Sequence, residues 1–478
     1  MSPAASGDAS TPTLVQRMAA FAVAARDGGV PDAVARSSRQ RILDTIGVAV
    51  AAQVLPTSSA TLEHVAEVGG RPQAHVFGLA QALPAAQAAF ANGVLAHSLD
   101  YDDTHLPSVL HPSASVVPAA LAAAEAYGGD AEGLTAAVAV GVEITVRLGM
   151  AGYDREAGNS TFFTHGQHAT SICGAIGSAA SAALLMGGDE RTVADAMGIA
   201  ASFAGGIIEG NRTGGTVKRT HCGWAAQGGV TAAQLAVRGF TGPPTVFEGK
   251  FGFFEAFLKG VWNPAELTDG LGEHWEVPGI FFKPYPANHF THAGADAAMA
   301  LREKGLRPED VESIVLGVSG YAARTIGEPI DVKRTPATGY QAQFSGPYMV
   351  AAALHGGHGL GLGLADFTDE LAQDPSRRDL MQRITVVADA ECDAIWPHQF
   401  PAVLTVRTKD GSELVEKVLA NRGGPQRPLS DDELKLKFTD NVSPWMAADG
   451  VALVAGIVEE PARLSDLGRL MAATVRSG

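Results

Sequence analysis

The chain has 478 residues, more than one hydrophobic core ordinarily supports, so two or three domains are expected. Apolar residues make up 46% and charged residues 18%, a balance that excludes a disordered chain. The net charge of -16 speaks against nucleic acid as a partner, since phosphate binding wants a basic footprint, while leaving room for a local positive pocket that takes an anionic substrate.

Alanine and glycine carry much of the apolar count and aromatics only 6%, which implies closely packed helices with small residues between them. The three cysteines, Cys173, Cys222 and Cys392, are scattered, so neither a disulfide framework nor a zinc ribbon is expected. Reduced thiols and an N-terminus without signal-peptide blocks point to the cytoplasm. Residues 134–150 are the longest apolar stretch. Glu143 and Arg147 interrupt it at helical i,i+4 spacing and read as a surface pair, so no membrane span is expected.

In chain order, residues 34–51, 84–99, 115–127, 134–150, 171–186, 191–203 and 224–237 carry helical periodicity, with Gly187-Gly188, Gly205-Gly206 and Gly239 as stops. After Pro278 the pattern changes. A helix is expected over 293–304, a strand over 311–318, a helix over 347–355, and strands over 384–387, 403–408 and 413–419, with Asp410-Gly411 as a hairpin turn. Gly423-Gly424-Pro425 closes this α+β segment, and Ser430 with Glu433 makes a capping box for a further helix. The expected fold is mainly α: a large all-α domain built from both ends of the chain (1–277 and 426–478) with an inserted α+β lid (278–425).

Four stretches concentrate chemistry. His97, Asp100, Asp102, Asp103, Thr104, His105 and His111 crowd acids and imidazoles, tolerable at a helix start, a metal or a polar cleft. Gly166-Gln167-His168 precedes a helix. Arg212 and the loop 214–221, with Lys218, Arg219 and His221, form a glycine-flanked basic segment suited to carboxylate or phosphate but lacking Walker spacing. Phe282-Lys283-Pro284-Tyr285 and His289 to His292 sit at the domain junction, a favoured place for ligand clefts. Tyr348 lies near the start of a helix in the second segment. Together these groups fit removal of a proton beside a carboxylate: histidine as base, Lys218, Lys283 or Arg212 to hold charge, and a second histidine or Tyr348 as acid. No nucleotide fingerprint and no convincing zinc spacing appears, so no cofactor is expected.

At these residues the sequence resembles the MmgE/PrpD family over almost its whole length. The strings are Ala91 to Thr104, His111-Pro112-Ser113, Gly166-Gln167-His168, Lys218 with its loop, Arg238 to Gly242, Phe282 to Pro286 and the helix bearing Tyr348. The resemblance implies 2-methylcitrate dehydratase, cis-aconitate decarboxylase or iminodisuccinate epimerase chemistry on a small polycarboxylate, and a homodimer. By motif match it implies His111 and His168 as the proton-transfer pair, Asp100 tuning a histidine, Thr104 bonding substrate oxygen, Lys218 and Lys283 holding carboxylates, and Tyr348 reaching in from the lid. Dehydration ranks first, then epimerisation, then decarboxylation, because Gln167, Arg219, Asn288 and the spacing from Thr104 to His111 depart from the decarboxylase-like pattern. Other classes stay open: a metal-dependent hydrolase using Asp102, Asp103, His105 and His111, a terpenoid synthase, or a binding protein that lost the chemistry.

Overall fold

The computed structural model describes residues 11–213 and 215–475, the side chains of Asn211 and Arg212 excepted. It is mostly helical, with one four-stranded sheet and two short hairpins. The chain groups into two compact units. One gathers the residues up to Ser98, Ser108–Pro278 and those from Met446 on; the other gathers Leu99–Pro107 and Gly279–Trp445.

In the first unit the principal helices are α1 (Leu14–Gly28), α2 (Asp32–Ala51), α3 (Pro56–Val68), α4 (Ala85–His97), α5 (Ser113–Tyr127), α6 (Ala131–Ala151), α7 (Ala169–Leu185), α8 (Glu190–Phe203) and α9 (His221–Ala236). The alanine and glycine bias has a direct structural use here. A Cβ on Gly93 of α4 would lie 2.8 Å from the Cα of Gly223 in α9, and a Cβ on Gly229 of α9 would lie 2.5 Å from the Cβ of Ser178 in α7. Backbones this close leave no room for a side chain, so only glycine serves at these crossings. Helix α6 meets α7 the same way, with Gly177 against the carbonyl of Gly141.

Helix α6 corrects one expectation. It runs 21 residues and is long and apolar enough to cross a bilayer, but 94% of its apolar window is buried inside the protein, so it is a core helix. Glu143 and Arg147 are not a surface pair: they are 1% and 3% exposed. Arg147 Nε donates to Glu143 Oε1 at 2.7 Å, and the other carboxylate oxygen accepts from the amides of Glu276 (2.8 Å) and Val277 (3.3 Å). Arg147 also donates to the carbonyls of Glu266, Asp269 and His274. The pair therefore fastens the segment around 266–277 to α6. Burial pushes the Glu143 carboxyl up to about 7 against the pull of Arg147.

In the second unit, β1 (Val311–Val318) is a central strand with the order β2-β1-β3-β4. Strand β2 (Ile384–Ala388) pairs parallel to β1, while β3 (Ala402–Thr408) and β4 (Glu413–Val418) follow antiparallel. The turn between β3 and β4 is longer than a two-residue Asp-Gly turn. Thr408 N donates to the Ser412 carbonyl, Asp410 Oδ1 accepts from Ser412 N, and Gly411 takes φ 88°, a left-handed value that suits glycine. Helices His292–Glu303 and Gly346–His355 pack with the sheet in one apolar core that includes Leu316, Leu404 and Tyr348. The capping box at Ser430 is present, with Glu433 N donating to its hydroxyl and Glu433 Oε2 accepting from Ser430 N. The helix that it opens, Asp431–Val442, groups with the sheet unit, and the chain rejoins the helical unit at Met446 rather than at 426.

Glu143→Ala would leave the Arg147 guanidinium buried without its counter-charge. The expected cost is about 3–5 kcal/mol, read as a lowered urea midpoint. A loss below about 1 kcal/mol would mean that the pair is solvated.

Candidate active site

Four imidazoles of the helical unit, from four separate stretches of chain, come together. His97 is the last residue of α4, His111 lies two residues before α5, His168 is the N-cap of α7, and His221 is the first residue of α9. Ring centroids are 5.7 Å apart for His97–His111, 5.5 Å for His97–His168 and 4.9 Å for His168–His221. The Nδ1 atoms of His168 and His221 are 2.9 Å apart, a hydrogen bond in which one ring donates and the other accepts.

The local chain is built to hold these rings. His168 N donates to the Gly206 carbonyl and Ile208 N to the Gly166 carbonyl, so a short antiparallel bridge sets the entry to α7. His111 N donates to Thr170 Oγ1 at 3.2 Å, tying the His111 loop to the first turn of α7. Ser171 Oγ lies 2.7 Å from the Gly205 carbonyl and 2.9 Å from that of His221, joining the starts of α7 and α9. Two residues before His111, Val109 takes φ 57°. A β-branched residue in the left-handed region costs about 1–3 kcal/mol, and such strain concentrates at functional sites.

The electrostatics favour an anion. Helices α5, α7 and α9, of 15, 17 and 16 residues, all begin at this cluster, and helix N-termini present free amides and partial positive charge. Lys218, on the 3-10 turn Thr216–Thr220 leading into α9, adds a full charge. Burial first, then the charges of His97, Lys218, His221 and His111, holds His168 well below its ordinary value. Burial, His97 and Lys218 bring His221 down to about 4. Both rings are therefore neutral near pH 7 until a negative charge joins them.

The second unit assembles a different set of the expected residues. Lys283 is 1% exposed; its Nζ donates to the Asp100 carbonyl at 2.8 Å and lies 3.4 Å from Asp100 Oδ1. Asp100 itself takes φ 54°, a conformation that Asp tolerates better than most residues. Thr104 is buried and its backbone pairs with that of Phe281 in both directions. Lys437, which sequence reasoning passed over, donates to the Tyr101 carbonyl and sits 3.9 Å from the Tyr101 ring centroid. Burial, then Lys283, brings His292 down to about 3.

Tyr348 is placed differently from the expectation. It is fully buried in the sheet core, its hydroxyl donating to the Asp366 carbonyl and accepting from Arg377 at 2.8 Å. A hydroxyl committed to these core partners is not disposed to deliver a proton to a ligand. Arg212 lies outside the described residues as a side chain. Among the described residues, no group of three or more His, Cys, Asp or Glu is arranged to hold a metal ion, so the hydrolase site of Asp102, Asp103, His105 and His111 finds no geometric support. His97 and His221 were visible as members of motif strings but went unassigned; their signal was position, at the end of α4 and the start of α9. The departures from the decarboxylase-like pattern have local structural partners: Gln167 Nε2 donates to the Phe257 carbonyl, Arg219 to Thr57 Oγ1, and Asn288 Oδ1 accepts from Phe290 N.

Neutral histidines that resist protonation make the fold acid-sensitive. The unfolded chain binds a proton at each such ring near 6.5, whereas the folded chain withholds it until about 4 at His221 and about 3 at His292. The contribution of these two rings to stability is therefore greatest above 6.5 and falls as pH is lowered through that window. Between about pH 7.5 and about pH 5, His292 is expected to contribute a loss of about 2 kcal/mol. Urea titrations at both pH values should show His292→Gln losing less stability than the wild type; equal losses would contradict this assignment.

Comparison with known proteins gives the family of the chain. Residues 16–265 match the MmgE/PrpD N-terminal domain and residues 285–458 the MmgE/PrpD C-terminal domain. The chain is 29% identical over 465 residues to cis-aconitate decarboxylase of Homo sapiens, covering 92% of this chain and 90% of the relative. It is 26% identical over 464 residues to cis-aconitate decarboxylase of Aspergillus terreus, covering 92% of each. With 2-methylcitrate dehydratase of Salmonella typhimurium it shares 27% identity over 241 residues, 48% of each chain. With both family domains spanning most of its length, the chain belongs to the MmgE/PrpD family.

Proposed function

We propose that the protein is a lyase acting on a small polycarboxylic acid, with a histidine-mediated proton transfer at the carbon next to a carboxylate. The observation that carries this is the meeting of four imidazoles at the starts of three long helices beside Lys218. A di- or tricarboxylate brings the negative charge that this environment favours. The same charge raises the proton affinity of His168 and its neighbours, so substrate arrival readies the acid–base groups. Lys218 and the helix amides hold carboxylate oxygens, and they hold them more strongly as charge grows in an enediolate-like transition state.

His111 and His168 are the proposed proton-transfer pair. The assignments of Lys283 to a carboxylate, Thr104 to substrate oxygen and Asp100 to orientation remain part of the proposal on the strength of the sequence resemblance; Tyr348 is left out. The chemistry needs no cofactor, because the substrate's own carboxylate takes up the charge released at carbon. A cytoplasmic homodimer belongs to the same proposal.

Two bonds are candidates for cleavage. The end-to-end similarity to cis-aconitate decarboxylases favours loss of CO₂, where a protonated imidazole delivers a proton to carbon. The half-length similarity to 2-methylcitrate dehydratase favours loss of hydroxide as water, where a neutral imidazole first takes a proton from carbon. We place decarboxylation first because it rests on the longer match, ahead of the dehydration that the motif departures favoured. Epimerisation shares the first proton abstraction and would return that proton to the opposite face.

Incubation with a panel of di- and tricarboxylates in D₂O, followed by NMR, separates the three. CO₂ release means decarboxylation, new alkene signals mean dehydration, and deuterium uptake without a new product means epimerisation. His168→Ala should lower kcat by about 10²–10⁴-fold, the usual worth of a positioned acid or base, and Lys218→Ala should both raise KM and lower kcat. Near-normal rates in both folded variants would refute the assignment.

A further inference from the structure

One proton transfer to carbon needs one or two imidazoles, and the cluster has four. His168 is 3% exposed, so a proton that it gives or takes has to travel. Its Nδ1 is hydrogen-bonded to Nδ1 of His221, and His221 lines a cavity of about 450 Å³ together with the polar side chains of His64, Gln87, Thr220 and Gln227 and the apolar ones of Phe90 and Trp224. That volume has room for several waters, and these polar side chains can bond them. The pair of rings thus joins a buried imidazole to a wet hollow by a single hydrogen bond.

We propose that His221 is a proton relay between the water of this cavity and His168; the inference rests on the lyase reading above. Decarboxylation of a carboxylate consumes one proton for each CO₂ released, and that proton comes from solvent. Inward transfer starts with His168 protonated on Nε2 and His221 on Nδ1. A cavity water gives a proton to His221 Nε2, the Nδ1 proton of His221 passes to His168 Nδ1, and His168 gives its Nε2 proton to the substrate carbon as the carbon–carboxylate bond breaks. The electron pair of that bond becomes the new C–H bond, CO₂ leaves, and both rings end neutral with their tautomers exchanged. The start is restored when each ring exchanges its remaining proton with water for one on its other nitrogen. For an abstraction the same steps run outward, from carbon to His168 to His221 to water. His221 acts through His168 and is a positioning residue, not one that touches the substrate.

Two measurements on the full-length protein test this. The first needs no substrate: ¹⁵N-histidine NMR, assigned with H168A and H221A, reads the tautomers. Complementary rings, one Nδ1–H and one Nε2–H, support the relay; two Nε2–H rings share no proton and overturn it. The second uses whichever acid the panel identifies. H221A should lower kcat about 10–100-fold with KM within about two-fold, raise the solvent isotope effect, and recover at least about ten-fold when imidazole is added. H221N, which keeps a hydrogen bond to His168 but cannot pass a proton through, should show the same slow kcat without loss of thermal stability. A normal kcat in H221A and H221N overturns the relay, as does a loss that imidazole leaves unchanged and that follows a lowered Tm. If the wild type turns over none of the acids, the lyase reading fails on its own, and the tautomer result still decides whether the pair can carry a proton.

Discussion

The candidate site depends on how closely the backbones of α4, α7 and α9 approach. Glycines at 93, 223 and 229 occupy points where even one added methyl group would strike neighbouring backbone or Cβ atoms. Packing that tight restricts how the helix axes can shift, since protein interiors transmit displacement rather than absorb it. His97, His168 and His221 sit at the ends of these helices, so their rings inherit that precision. A cluster on mobile loops could not keep a 2.9 Å Nδ1–Nδ1 bond without other support.

Burial and charge then act in the same direction. Removing His168 and His221 from water disfavours their protonated forms, and the charges of His97 and Lys218 add to the penalty. His168 and His221 are held neutral near pH 7 beside the positive charge of Lys218, within a chain whose net charge is -16. The acidic surface and the local positive potential do not conflict, because the field inside a hollow is set by the nearest groups. In the proposed function, an entering polycarboxylate satisfies that potential and raises the proton affinity of the imidazoles.

Much of the scaffold was legible from the chain. Strand 311–318 and the switch from helical to mixed text after Pro278 follow from β-branched runs and turn residues, whose conformational preferences are local. Glu143 and Arg147 were misread because i,i+4 spacing is equally compatible with a solvated face and with a buried hinge to the 266–277 segment. The helix after Ser430 was recognised with its cap, but its grouping was not, since a capping box says where a helix starts and nothing about what it packs against. Tyr348 looked like a reactive group by motif, yet a hydroxyl is a core hydrogen-bonding group wherever partners such as Asp366 and Arg377 enclose it.

The sequence by itself determined the helical composition, the family, and the presence of His111, His168 and Lys218 as a chemically coherent set, because residue type and spacing along the chain encode those directly. Only the tertiary structure decided that His97 and His221 join them, that Nδ1 of His221 meets Nδ1 of His168, and that Tyr348 belongs to the core. Those facts depend on distances between residues well separated in the chain, and such distances are set by tertiary packing that no local pattern records.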